Sequence, residues 1–422
     1  ALAAAAAAGT RPARAAAKVP TSAHIVVAGA GAAGLAMANR LSQMLDGARI
    51  TLVDARKAHY YQPGFTLVGA GVKPPSYPVS TTAQYVPRGV ELVEEAVAEF
   101  DPESNAIVTA SGQRIGYDYL IVATGLVLDY AAIEGMDPAL IGKDGIGSVY
   151  AGPEAAAATF GEMARFAETG GVGLFGRPAT EMKCAGAPLK YAFLTEDRLT
   201  RQGARDKAKL IYAAHNNALF GVPIVSEKVR MLFAERGIDV AYDHVLKAID
   251  PARRIATYAT PDGDKELGYD FIHVVPPMRA PAAVRDSALP WAEGPLAADG
   301  WVEADRKTLR HPRFPNVFAV GDIAGVPKGK TAASVKWQAP VAAAHLVADI
   351  AGTESAEAYD GYTSCPLITR IGRAMLIEFD YNNNLVPSFP GVIAPLEELW
   401  VSWLMKETAL KPTYIAMLRG EA

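Results

Sequence analysis

The stretch AHIVVAGAGAAGLAMANRLSQML at 23–45, followed by ARITLVDA at 48–55, constrains this chain more than any other. It reads as strand, glycine turn, helix and strand, one βαβ unit. Gly29, Gly31 and Gly34 stand as G-x-G-x-x-G, and Asp54 closes the next strand about 20 residues on, as a dinucleotide fingerprint requires. The first glycine permits the tight turn, the second lets backbone approach a pyrophosphate, and the third lets helix pack on strand. The helix N-terminus favours the phosphate charge, and Asp54 is placed to hold ribose hydroxyls.

With 422 residues, half of them hydrophobic, the chain can bury two to three cores at roughly 150 residues each. Its 41 basic and 45 acidic residues leave a net charge of -4, which gives no field for a nucleic-acid backbone. Cys184 and Cys365 are the only cysteines, too few for a secreted disulfide framework and enough for one redox couple. The seven histidines show no paired ligand spacing, so no metal site is expected. No apolar run reaches the roughly 18 residues of a spanning helix, so membrane contact would be peripheral. Residues 1–22 are Ala-rich, with Arg11, Arg14 and Lys18 and no acid before Asp46; a targeting remnant and a disordered tail both fit.

An internal similarity organises the middle of the chain. GVELVEEAVAEFDPESNAIVTASGQRIGYDYLIVATG at 89–125 parallels GIDVAYDHVLKAIDPARRIATYATPDGDKELGYDFIHVVPP at 237–277, each with a DP turn, alternating strands and a final apolar strand after Gly-Tyr-Asp. GGVGLFG at 170–176, APLKYAFLTEDRL and KLIYAAH repeat the βαβ order before the second copy, while Gly, Pro and Tyr between 55 and 81 read as loop. The expected architecture is α/β: two Rossmann-like dinucleotide-binding domains and a C-terminal amphipathic, membrane-associating region. The first domain takes 23–130 and, discontinuously, 291–364, where a strand ending at Gly321-Asp322 rejoins its sheet; the second takes 131–290, and the third region 365–422.

The second unit lacks a phosphate-binding glycine turn. GGVGLFG runs into RPATEMKCAGAP, and Val275-Pro276-Pro277 stands where the first copy has Ala123-Thr124-Gly125, which disfavours a nicotinamide cofactor. Cys184 opens a helical stretch, where the helix dipole would favour thiolate. In the tail, Leu396, Leu399, Trp400, Trp403 and Leu404 recur at helical spacing, Lys411-Pro412 break the pattern, and Tyr414, Ile415, Met417 and Leu418 form a second apolar face. Core packing and an interfacial belt that includes Lys406 and Arg419 both suit that stripe.

Ala123-Thr124-Gly125 and Val320-Gly321-Asp322, each ending an apolar strand, resemble the flavin signatures of the two-dinucleotide-domain flavoproteins. That resemblance implies that Asp322 binds the ribityl chain and that the helix from Thr331 points its positive end at the flavin pyrimidine. KCAGAPLK at 183–190, YDGYTSCPL at 359–367, HYYQPGFTLVGAG, PPM, KTAASV, LMK and MLRG look like segments of sulfide:quinone oxidoreductases, especially the mitochondrial branch and bacterial relatives. The resemblance covers roughly 23–420. It implies FAD, a Cys184/Cys365 redox pair, hydrosulfide as donor, ubiquinone or another membrane quinone as acceptor, and sulfide, glutathione or sulfite as sulfur acceptor. In that scheme hydrosulfide attacks the oxidised pair, with Cys184 carrying the persulfide and Cys365 the flavin-facing thiolate. Phe379, Tyr381 and Phe389 would line a quinone slot, with Trp400 and Trp403 at the membrane, either a bacterial cytoplasmic membrane or a mitochondrial inner membrane. A homo-oligomer stays open. The competing readings are a type II NADH:quinone dehydrogenase, which needs the missing glycine turn, and a flavin-bearing redox sensor without turnover.

Because no third cysteine is available for a thioether to flavin, FAD should leave the purified yellow protein on mild acid precipitation. Flavin retained on peptide after that treatment would contradict noncovalent binding.

Overall fold

The computed structural model describes residues 17–422, so the Ala-rich segment read as a tail lies almost entirely outside the described residues. The glycine-marked strand His24–Ala28 sits centrally in a five-stranded parallel sheet, because its residues are apolar on both faces. Arg49–Val53 and then Glu91–Val93 lie on one side of it, Tyr119–Val122 and then Val317–Ala319 on the other. A second parallel sheet repeats the plan in the order Ile146–Gly147, Phe271–His273, Gly171–Gly176, Ala208–Ala213, Ile238–Ala241.

The two internally similar segments adopt the same structure to the level of single hydrogen bonds. Each inserts a three-stranded antiparallel meander, Val97–Gly116 and Val245–Gly268, between the last two strands it adds to its parallel sheet. The turn after each DP pair ends on a left-handed residue, Asn105 at φ 51° and Arg254 at φ 53°. The carbonyls of these residues accept the N–H groups of Tyr117 and Tyr269, both at 2.9 Å. The aspartate of each Gly-Tyr-Asp then fastens the meander to the central strand. Asp118 donates its N–H to the His24 carbonyl at 2.8 Å and accepts the His24 N–H through Oδ2 at 2.7 Å; Asp270 makes the same pair with Val172, both at 2.8 Å.

Two expectations are corrected. The tract read as loop contains a helix, Phe65–Gly69, and a strand, Ala58–Tyr60, paired with Val79–Thr81. Burial of Phe65, Leu67 and Val68 overrides the turn-rich composition around them. The tail is not one amphipathic helix. Leu399 is extended and pairs with Ala374, so Leu396 and Leu399 precede the helix Trp400–Leu404. A π-helical turn, Met405–Ala409, follows and leads into the helix Leu410–Leu418, so Pro412 lies inside a continuing helix. The wider turn accommodates the donor that proline lacks.

This terminal helix packs on Ala32–Met44, and Tyr414, Met417 and Leu418 join the core of the first unit. Trp403, expected at a lipid surface, is buried with Leu67, Leu194, Ile368 and Ala374, whereas Trp400 is 57% exposed. Trp403→Ala should therefore cost about 3–5 kcal/mol in chemical denaturation, and Trp400→Ala less than about 0.5 kcal/mol. Equal costs would remove Trp403 from the core.

Candidate active site

At the carboxyl edge of the first sheet, two close approaches and one open face explain the glycines. A Cβ on Gly29, which has φ 108°, would lie 2.4 Å from the Ala123 carbonyl oxygen, and one on Gly34 would lie 1.7 Å from that of Gly29. Gly31 faces open space bounded only by the Arg56 guanidinium at 3.7 Å. Asp54 accepts the Ala30 N–H at 2.7 Å, which sets its carboxylate beside the turn. Thr124 keeps a buried hydroxyl without a protein partner. Gly321 donates its N–H to Gln338 at 2.8 Å, and Thr331 caps the helix Ala332–Ile350 by accepting the Ser334 N–H at 3.1 Å. Burial raises the pKa of Asp322, against the pull of Lys183 and Lys330. A crevice with open backbone at Gly31, an unpaired Thr124 hydroxyl and a capped helix start fits a flavin dinucleotide.

In the second unit the corresponding edge carries no glycine fingerprint. A Cβ on Gly176 would meet the Ala213 carbonyl oxygen at 2.7 Å, and the chain continues through Arg177 toward Cys184. Cys184 is left-handed at φ 49°, two residues before the N-cap Gly186 of the helix Ala187–Arg201. It is therefore not on the first helical turn, and the charge facing its sulfur comes from a side chain. Lys190 Nζ lies 3.6 Å from Cys184 Sγ, and the two thiols hold its pKa up against burial. The Cys184 N–H donates to the Lys330 carbonyl at 3.0 Å, and its own carbonyl accepts the Tyr150 hydroxyl at 3.2 Å.

Cys365 is buried on the strand Thr363–Arg370, which the hairpin with Arg373–Phe379 holds against the helix Ala187–Arg201. Although 181 positions separate the two thiols in sequence, a Cβ added to Gly186 would lie 2.3 Å from Cys365 Sγ, and both cysteines line one cavity of about 290 Å³. Burial pushes the Cys365 thiol pKa up, and the Lys190 ammonium works against it. Lys330 and Thr331, from the first unit, line the same cavity.

Of the aromatic residues read as a quinone slot, Phe379 lines this cavity, edge-on to Phe220 at 5.8 Å. Tyr381 instead packs on Tyr359 at 5.4 Å and donates its hydroxyl to the Arg306 carbonyl at 3.0 Å, and Phe389 is exposed. Three lysines were missed by sequence reasoning. Besides Lys190, Lys330 donates to the Asp322 carbonyl at 2.7 Å, with burial lowering its pKa to about 8. Lys406, read as an interfacial residue, is buried and donates to the Pro63 carbonyl; burial first, then Lys190, lowers its pKa to about 7, while the cysteines hold it up. The only signal was an apolar context around Lys190 and Lys406; Lys330, in PKGKTAAS, had none. No metal-binding cluster of His, Cys, Asp or Glu occurs among the described residues.

Two parallel sheets of this order, a dinucleotide crevice on one and a dithiol beside it on the other, define a disulfide-type flavoprotein. A family model described as pyridine nucleotide-disulphide oxidoreductase matches residues 23–343. The mitochondrial sulfide:quinone oxidoreductase of Mus musculus is 36% identical, covering 94% of this chain and 86% of its own. That of Dictyostelium discoideum is 37% identical, covering 87% and 79% respectively. Within that disulphide oxidoreductase class, the chain belongs to the sulfide:quinone oxidoreductase family. The crystal structure of the Aquifex aeolicus enzyme shares the fold, with a TM-score of 0.77 at 24% identity over 94% of this chain and 92% of that one. Membership implies a flavin cofactor.

A cation beside two thiols stabilises their ionised form. In Lys190→Met, alkylation of Cys365 by iodoacetamide should therefore need a higher pH, with its midpoint moved up by about 1–3 units. An unchanged midpoint would separate Lys190 from thiol ionisation.

Proposed function

We propose that this protein oxidises hydrosulfide at the Cys184/Cys365 pair and delivers two electrons, through noncovalent FAD, to ubiquinone or another membrane quinone. The observation that carries the reading is the single cavity lined by both thiols and by the Lys330–Thr331 loop, with Lys190 Nζ 3.6 Å from Cys184 Sγ. Gly29, Gly31, Gly34 and Asp54 would hold the ADP half of FAD, and Ala123, Thr124, Gly125, Gly321, Asp322 and Thr331 the flavin half. Bound there, FAD supplies a two-electron acceptor for the reduced dithiol.

In the oxidised pair, hydrosulfide attacks one sulfur, the S–S bond breaks, and one cysteine becomes a persulfide while the other leaves as thiolate. Lys190 stabilises that thiolate, and Lys406 adds positive charge to the same site. The Cys184 N–H bonded to Lys330, in the loop between Asp322 and Thr331, supports Cys184 as the flavin-facing sulfur and Cys365 as the persulfide carrier. This exchanges the roles implied by the resemblance alone. The sulfane sulfur then passes to sulfide, glutathione or sulfite.

Quinone access is read through Phe379 on the cavity wall, and peripheral membrane contact through exposed Phe389, Val392, Trp400 and Val401. No described helix is long and apolar enough to cross a membrane. The missing glycine turn after Gly176 argues against an NADH dehydrogenase.

Anaerobic sulfide should bleach the bound flavin, and added quinone should restore its colour, whereas NADH should do nothing. Cys184→Ser and Cys365→Ser should each abolish sulfide-dependent quinone reduction while flavin stays bound. Bleaching by NADH, or turnover in either variant, would overturn the assignment.

A further inference from the structure

In open parallel sheets, ligands sit beyond the carboxyl ends of the strands where the strand order reverses. In the second sheet that point lies between Gly171–Gly176 and Phe271–His273. The loop there carries no phosphate-binding glycine turn, yet the edge is not sealed. A narrow cavity of about 10 Å³, lined by Phe175, Arg177, His244 and His273 among others, lies at the switch point. That is room for a group about the size of one water, such as a single oxygen of a ligand. Arg177 also lines the wide cysteine cavity, as does His215.

The nitrogens around this point lack partners. Arg177 makes no salt bridge and no side-chain hydrogen bond among the described residues, and its Nε is buried. His215 keeps a buried, unpaired Nδ1. His273, 2% exposed, accepts the Val149 N–H on Nε2 at 3.3 Å, so its Nδ1 carries the hydrogen and is unpaired. Arg177 faces the narrow cavity with His273 and the cysteine cavity with His215, so it is the one cation common to both. The acids near it are Asp243, which acts on His215, and Glu181, which is exposed on the cavity wall; neither makes a salt bridge to Arg177.

We propose that Arg177, beside His215 on the cysteine cavity, binds the oxyanion group of the sulfur acceptor and so selects an acidic nucleophile over a neutral one. This inference rests on the sulfide-oxidising reading above. The bound acceptor sulfur attacks the outer sulfur of the Cys365 persulfide: a new S–S bond forms to the acceptor, and the bond from the outer sulfur to Cys365 Sγ breaks. The electron pair leaves on Cys365 as thiolate, and the hydrogen stays on the transferred sulfur. A carboxylate-bearing thiol and sulfite share the required chemistry, and they are separated by assay.

The test uses FAD-loaded enzyme with sulfide and quinone, comparing kcat/KM for mercaptoacetate, sulfite and neutral 2-mercaptoethanol in wild type, Arg177→Ala and Arg177→Lys. The ratio of mercaptoacetate or sulfite to 2-mercaptoethanol should fall about tenfold or more in Arg177→Ala, the loss of one charge-assisted hydrogen bond, and recover partly in Arg177→Lys. Whichever anion shows the fall identifies the acceptor class. If neither anion loses ground against the neutral thiol, the proposal is overturned. Calorimetric binding of methylthioacetate, an unreactive carboxylate thioether, gives a readout independent of turnover. Binding that weakens about tenfold in Arg177→Ala supports the site, and binding of equal strength, or none to wild type, overturns it. Flavin that sulfide does not bleach would sink the sulfide-oxidising reading instead, with the calorimetry still deciding whether the anion site exists.

Discussion

The hydrogen bond from the Cys184 N–H to the Lys330 carbonyl joins the two halves of the molecule at the point where chemistry must cross between them. Lys330 belongs to the loop that follows the last strand of the first sheet, and Cys184 to the loop that replaces a phosphate-binding turn on the second. The bond requires Cys184 to hold a left-handed backbone, which a cysteine adopts only when its surroundings enforce it. The Tyr150 hydroxyl and the Ala187 N–H, both on the Cys184 carbonyl, supply that enforcement from the second unit. Through this fastening the dithiol is fixed relative to Asp322 and Thr331.

Duplication explains why such a crossing exists. Two copies of one sheet-and-meander plan, stitched by Asp118 and Asp270 in the same way, present two carboxyl edges. The first keeps the glycines that admit a pyrophosphate. The second has lost them, and its loop carries a sulfur instead. The partnerless Arg177 beside that loop marks where a dinucleotide edge has been narrowed without being filled.

Much of this was legible from residue order. The glycine fingerprint, the two DP turns and the paired Gly-Tyr-Asp segments specify two Rossmann-like sheets, because each is a local backbone requirement that only certain residues meet. The helix at Phe65–Gly69 was hidden because its neighbours are turn formers and its stability comes from tertiary burial. The tail was misread because a helical period in sequence does not reveal that Leu399 is paired as a strand or that Trp403 faces protein. The cysteines stood out by rarity. Lys190, Lys330 and Lys406 did not, since a lysine's importance here arises from burial, which composition does not encode.

Lys406 changes what the C-terminal segment is. Within one short stretch the chain presents exposed Trp400, inserts a buried ammonium near both thiols, and then seats Tyr414 on His59 at 2.8 Å. The segment therefore reaches the surroundings of the thiols as well as forming an outer surface. A protein lacking it would not be the same catalyst freed from a tether, because the charge that Lys406 contributes near the sulfurs would go with it.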